Sequence, residues 1–199
     1  MKTNNYNDYR IKSLENDSKT SKTLAAISGA TASLATIVTI GNFATGNDFI
    51  ALQNLGTTVA MAGYVIGYLN KARLNNKEVT RLEEIKDKPD SPEDRITELK
   101  NTITQTKNSL AMSTTAAVGF GISTLANMAL LSDGYYSAVG AMLLTGTISV
   151  LDILLSFQHA KKLKATKERV SLLEDLDETS KEPIPELIES KEDEKRLLK

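Results

Sequence analysis

Four stretches of this chain contain no charged side chain: Thr23 to Asn47, Phe49 to Asn70, Asn108 to Ser132 and Gly134 to Leu151. A helix that meets water needs a strongly polar face, and none of the four runs supplies one. Runs of about 18–25 residues, rising roughly 1.5 Å per helical residue, match a hydrocarbon layer about 30 Å thick. The chain is not short of charge, with 24 Lys and Arg and 25 Asp and Glu among 199 residues. The charges are segregated, so a mean hydropathy of -0.22 averages two unlike kinds of segment into a soluble-looking value. The pattern predicts an all-α membrane protein with four transmembrane helices near 24–45, 49–70, 109–131 and 135–158.

Charge also sets an expected orientation. Every Lys and Arg falls within 1–23, 71–107 or 161–199, and neither short connection between paired helices has one. The positive-inside rule then places both termini and the central segment in the cytoplasm, with two tight turns on the far side. Phe43, Phe49, Tyr135 and Tyr136 fall at those turns, while Tyr64, Tyr68 and Phe157 fall near the cytoplasmic ends, where aromatic rings favour the interface. Asp48 and Asp133 are expected to cap the second helix of each hairpin.

The reading divides the chain into a cytoplasmic N-terminal helix (1–23), hairpin 1 (24–70), cytoplasmic helices with a proline break (71–108), hairpin 2 (109–158), and a cytoplasmic helix with an acidic tail (159–199). The first apolar run begins only at Leu24 after a polar start, so no cleaved signal peptide is expected. The net charge of -1 offers no positive excess for nucleic acid. Without Cys, disulfides and thiolate metal sites are excluded.

The second hairpin repeats the first. At an offset of 85 residues, 13 of the 39 positions from Arg10 to Asp48 are identical to those from Arg95 to Asp133. Val79, Leu82 and Ile85 reappear, after a slip in phase, as Val170, Leu173 and Leu176, and proline pairs follow at Pro89 and Pro92 and at Pro183 and Pro185. Short amphipathic helices are expected over 74–88 and 163–178. Each half crosses the membrane twice, so the copies share one orientation, unlike the inverted repeats of many transporters.

The identities mark a packing face. Ser28, Ala32, Thr39 and Asn42, like Ser113, Ala117, Thr124 and Asn127, are spaced to share one side of a helix. In lipid, helices associate through small residues and hydroxyl or amide hydrogen bonds rather than through the hydrophobic effect. Gly63 and Gly67 form a GxxxG stripe, extended by Gly56 and Ala60, for packing within a four-helix bundle or between copies in a homo-oligomer.

The fourth helix alone has a polar seam: Thr145, Ser149, Asp152, Ser156 and His159. An acid inside a span is a functional candidate, whether paired with Lys161 or Lys162, lining a pore or touching a partner. A hydrolase triad is excluded, because side chains stacked on one straight helix do not converge on a carbonyl. Lys71, Arg73, Lys161, Lys162 and Lys164 flank the spans and should draw anionic lipid headgroups. No sequence pattern points to a catalytic centre, a cofactor or a metal.

The tail glutamates Glu186, Glu189, Glu192 and Glu194 resemble the acidic block near the C-termini of type IV secretion effectors of intracellular bacteria. The paired hydrophobic lobes resemble in architecture the bilobed domain of proteins that such bacteria place in vacuole membranes. The helix-hairpin-helix plan is similar to two-helix membrane effectors of bacterial defence systems. These resemblances imply a secreted effector placed in a host membrane. The residues themselves lead to a non-enzymatic multi-pass anchor or scaffold that presents cytoplasmic helices to a protein partner, with an oligomeric channel or permeabilising effector as the alternative. Alkaline carbonate washing of cell membranes checks the first step: the chain stays in the pellet, and release into the supernatant would overturn the transmembrane reading.

Overall fold

The computed structural model describes the backbone of residues 3–85 and 91–181. Pro89, Pro183, Pro185 and the tail glutamates lie outside the described residues. The described residues form four helices and no strand: α1 (Thr3–Ala44), α2 (Asp48–Glu84), α3 (Pro92–Ser132) and α4 (Ala138–Lys181). All four are long and apolar enough to cross a membrane.

The helices run well past the charge-free stretches. At 42, 37, 41 and 44 residues they rise about 55–66 Å, roughly twice the hydrocarbon thickness. The described parts of the segments expected as separate short helices are instead outer turns of the same four helices. The local reason is plain at the end of the second run, where Leu69, Asn70, Lys71, Ala72, Arg73 and Leu74 contain no glycine or proline breaker and include strong helix formers. Pro92, expected to help stop the first unit, opens α3. Ser91 caps that helix, its hydroxyl accepting the Asp94 N–H at 3.1 Å while the Asp94 carboxylate accepts the Ser91 N–H at 3.3 Å.

Both hairpin turns use one device. Gly46 and Gly134 take φ of 75° and 89°, a left-handed conformation natural to glycine just after a helix. The next N–H then reaches back: Asn47 to the Asn42 carbonyl at 2.9 Å, Tyr135 to the Leu130 carbonyl at 3.0 Å. This corrects the expected capping role of the two aspartates. Asp48 follows its glycine and is the first residue of α2, whose N-cap is Asn47 without a side-chain cap bond. Asp133 precedes its glycine and closes α3 as C-cap, five residues before α4 begins at Ala138.

The helices form an open row rather than a closed bundle: α1 packs on α2, α2 on α3, and α3 on α4, and no other pair brings its described backbone together. Among the described residues, the backbones of the two hairpins therefore pack together between α2 and α3. There the small stripe Gly56, Ala60, Gly63 and Gly67 is buried against α3. A Cβ on Gly56 would sit 2.5 Å from the Gly119 carbonyl oxygen and 2.6 Å from the Ser123 nitrogen. Ser123 uses the closeness, donating to the Gln53 carbonyl at 2.6 Å. Ala60, Ala116 and Phe120 form the buried core of the contact. The most apolar stretch of α3 is 44% buried, against 22%, 22% and 17% for α1, α2 and α4, so α3 is the most enclosed of the four helices.

A side chain at Gly119 has nowhere to go, since its Cβ would run into the Ala60 backbone. Gly119→Val should therefore cost about 3 kcal/mol through overpacking, read as a lower melting temperature in detergent. Gly140, with nothing within 4 Å of an added Cβ, should accept Ala with no loss or a gain of up to about 1 kcal/mol from helix propensity. Equal melting of both variants would contradict the packing described.

Candidate functional site

Two buried polar joints lie on this framework, one in the outer half of the helices and one in the charge-free half. The outer joint is centred on Glu78. On α2 the positions Asn75, Glu78 and Leu82 share the buried face, so the helical period carries an acid inward among neutral groups. Arg81 donates from Nε at 3.0 Å and from Nη2 at 2.8 Å, Arg10 of α1 from Nη2 at 3.1 Å, and Asn101 of α3 from Nδ2 at 2.7 Å. The same Arg10 nitrogen reaches Glu98 of α3 at 2.8 Å, and Arg81 lies 3.7 Å from Asp94.

Burial pushes the Glu78 carboxyl up, but the bonds and charge of Arg81, with help from Asn101 and Arg10, outweigh it and hold the group below its ordinary value of 4.5. The hydrogen bond from Arg81 in turn strengthens that guanidinium's hold on its proton. Three helices are thus tied to one anion. Nearby, Gln105 of α3 donates to Asn75 at 3.2 Å and Asn108 donates to the Gly67 carbonyl at 2.8 Å.

The inner joint is Tyr64 with Asp152. The Tyr64 hydroxyl of α2 donates to the Asp152 carboxylate of α4 at 2.8 Å, across a row in which those helices are not backbone neighbours. Tyr64 stacks on Tyr68 at a centroid distance of 6.0 Å and tilts against Phe120 at 6.3 Å, which fixes where its hydroxyl points. Asp152 is 4% exposed; it turns inward to a tyrosine, away from the Lys161 or Lys162 partnership the sequence suggested.

Three further seam residues are engaged inside the chain. Thr124 donates to Thr145 at 3.0 Å, Ser149 to the Ala117 carbonyl at 3.0 Å, and the Ser113 and Ser156 hydroxyls meet at 2.8 Å. The α3 packing face and the α4 seam, read separately from the sequence, are therefore the two sides of one interface. His159 is half-buried and joins none of these bonds. Asn127 is buried and donates to the Ser123 carbonyl at 2.8 Å. In the first hairpin, Ser28 and Thr39 are buried, Ala32 and Asn42 half-buried, and among the described residues it is the backbone of α2 that packs on their helix.

The basic residues divide. Lys71 pairs with Asp17 of α1 at 3.7 Å, whereas Arg73, Lys161, Lys162 and Lys164 are exposed. Among the described residues no three His, Cys, Asp or Glu side chains come together as metal ligands. Sequence reasoning missed Glu78 and Tyr64. For Glu78 a signal existed, an acid spaced three or four residues from Asn75 and Leu82 on one face; for Tyr64 there was none, because its partner lies two helices away. No known protein family matches the chain, and no curated protein or solved structure is significantly similar to it.

Because Glu78 is held below its ordinary 4.5, its stabilisation is complete above that value and is lost as pH falls through the lowered one. Glu78→Ala should destabilise the protein by about 3 kcal/mol at neutral pH by leaving the half-buried Arg81 with only its longer contact to Asp94. The gap between wild type and variant should close on acidification, read by thermal unfolding in detergent from neutral pH downward.

Proposed function

We propose that this chain is a non-enzymatic multi-pass membrane anchor whose outer helical halves are presented to a protein partner. The observation that carries this reading is the outer half of α4. Leu172 and Leu176, one helical turn apart, are 63% and 66% exposed although they lie beyond the charge-free runs. Large apolar side chains held out in water are the usual mark of an interaction surface.

Supporting this, the Glu78 joint gives the outer halves of α1, α2 and α3 a fixed arrangement, and Lys100 of α3 pairs with Glu174 of α4 at 2.7 Å. In this reading the outer halves and both termini are cytoplasmic, as the Lys and Arg distribution favours. The two hairpins arose by duplication, which accounts for the identities between Arg10–Asp48 and Arg95–Asp133. Export from a bacterium into a host membrane rests only on the architectural and tail resemblances. The inward bonding of the α4 seam weighs against a water-filled path along it within a single copy.

Photo-crosslinking in intact membranes tests the proposal. Probes replacing Leu172 and Leu176 should give discrete protein adducts, while probes at the exposed membrane-half positions Leu144 and Leu151 should not. Absence of adducts at the first pair would count against a partner surface. In the same preparation reconstituted into liposomes, ion flux should be negligible and unchanged by Asp152→Asn; flux that depends on Asp152 would favour the channel.

A further inference from the structure

Between α1 and α2, just where the charge-free runs end, lies an open groove of about 380 Å³ lined by Lys22, Leu69, Ala72, Arg73, Asn76, Lys77 and Thr80. Its placement follows from helical spacing: Leu69, Arg73, Asn76, Lys77 and Thr80 recur every three or four residues along one side of α2. Lys22 faces them from α1, one residue before the first charge-free run, and Leu69 is one residue from the end of the second. The groove therefore straddles the depth at which hydrocarbon gives way to headgroups.

Its chemistry is one-sided. Three cations line it and no acid does. Lys22, Arg73 and Lys77 are exposed and make no ion pair among the described residues, whereas neighbouring Lys71 is already paired with Asp17. Asn76 accepts the Ser18 hydroxyl at 2.7 Å through Oδ1, which leaves its amide hydrogens to donate elsewhere. The Thr80 hydroxyl donates to the Asn76 carbonyl at 3.2 Å. The floor is apolar, with Ala72 buried and Leu69 51% exposed on the membrane side. The open grooves between α3 and α4 contain no charged residue and sit beside the charge-free runs, so they share nothing of this polarity.

We infer that this groove binds the phosphodiester headgroup of an anionic phospholipid, the inference resting on the membrane reading above. Arg73 supplies a planar guanidinium that can meet two phosphate oxygens, Lys22 and Lys77 supply point charges from opposite walls, and the Asn76 amide donates a neutral hydrogen bond. The acyl chains run from the groove along Leu69 into the lipid. A zwitterionic lipid brings an ammonium among three cations and is disfavoured. Free phosphate shares the headgroup chemistry but gains nothing from the apolar floor.

Native mass spectrometry of the detergent-solubilised full chain tests this, using phosphatidylglycerol and phosphatidylcholine with the same acyl chains. Wild type should retain phosphatidylglycerol roughly tenfold more than phosphatidylcholine, as several juxtamembrane charges allow. The triple variant Lys22→Gln, Arg73→Gln, Lys77→Gln should lose that preference, and removes no ion pair that holds the fold. The triple variant Lys161→Gln, Lys162→Gln, Lys164→Gln should keep it. Equal retention by the groove variant, or equal loss in the α4 variant, would overturn the assignment. Inorganic phosphate that competes as well as phosphatidylglycerol at equal concentration would reassign the groove to free anions. Lost selectivity with the chain still in the carbonate-washed pellet would sink the groove alone; release from the pellet would sink the membrane reading beneath it.

Discussion

The contact between α2 and α3 is the constraint on which the architecture depends. Each hairpin is closed by its own turn, and among the described residues their backbones pack on each other along this seam in an otherwise open row. In a bilayer, which the four helices are long and apolar enough to cross, lipid cannot press helices together, so cohesion there has to come from close approach and hydrogen bonds. Gly56 and Gly119 let the backbones come near enough for Ser123 to reach the Gln53 carbonyl. Larger residues on either side would separate the hairpins, and every tie that crosses the seam would lengthen with them.

Two such ties skip a helix. Arg10 of α1 reaches Glu98 of α3 in the outer half, and Tyr64 of α2 reaches Asp152 of α4 in the charge-free half. The two ties, placed at different heights, link alternate helices along the row. They differ in chemistry as their surroundings require. Near water a network of full charges is affordable, because Glu78 has three donors and solvent close by. In the apolar half the same task falls to a single tyrosine and a single carboxylate.

How much of this could be read from residues follows from range. The four apolar runs, the packing face on α3 and the seam on α4 are features of single helices, and the structure brings face and seam together through Thr124 and Thr145, Ala117 and Ser149, Ser113 and Ser156. Helix ends were harder to read, because charge marks where water begins and not where a helix stops; α2 passes from Asn70 to Lys71 without a break. The aspartates show a further limit. Asp48 and Asp133 match at an offset of 85, but the turn glycines Gly46 and Gly134 are 88 apart, and the glycine, through its left-handed φ, decides which side of the turn an aspartate occupies. Tyr64 and Asp152 pair through the arrangement of three helices, which no local pattern encodes.

The absence of a break at the end of α2's charge-free run has a mechanical meaning. A helix without a hinge is a stiff rod, and a rod held partway along its length is a lever. A tilt or roll imposed on the lower arm must reappear in the upper arm. With the outer arms of α1, α2 and α3 pinned to one carboxylate at Glu78, they cannot answer such a displacement independently. With the lower arms in a bilayer, as proposed above, a strain there would reach the far end as one concerted rotation of a common head.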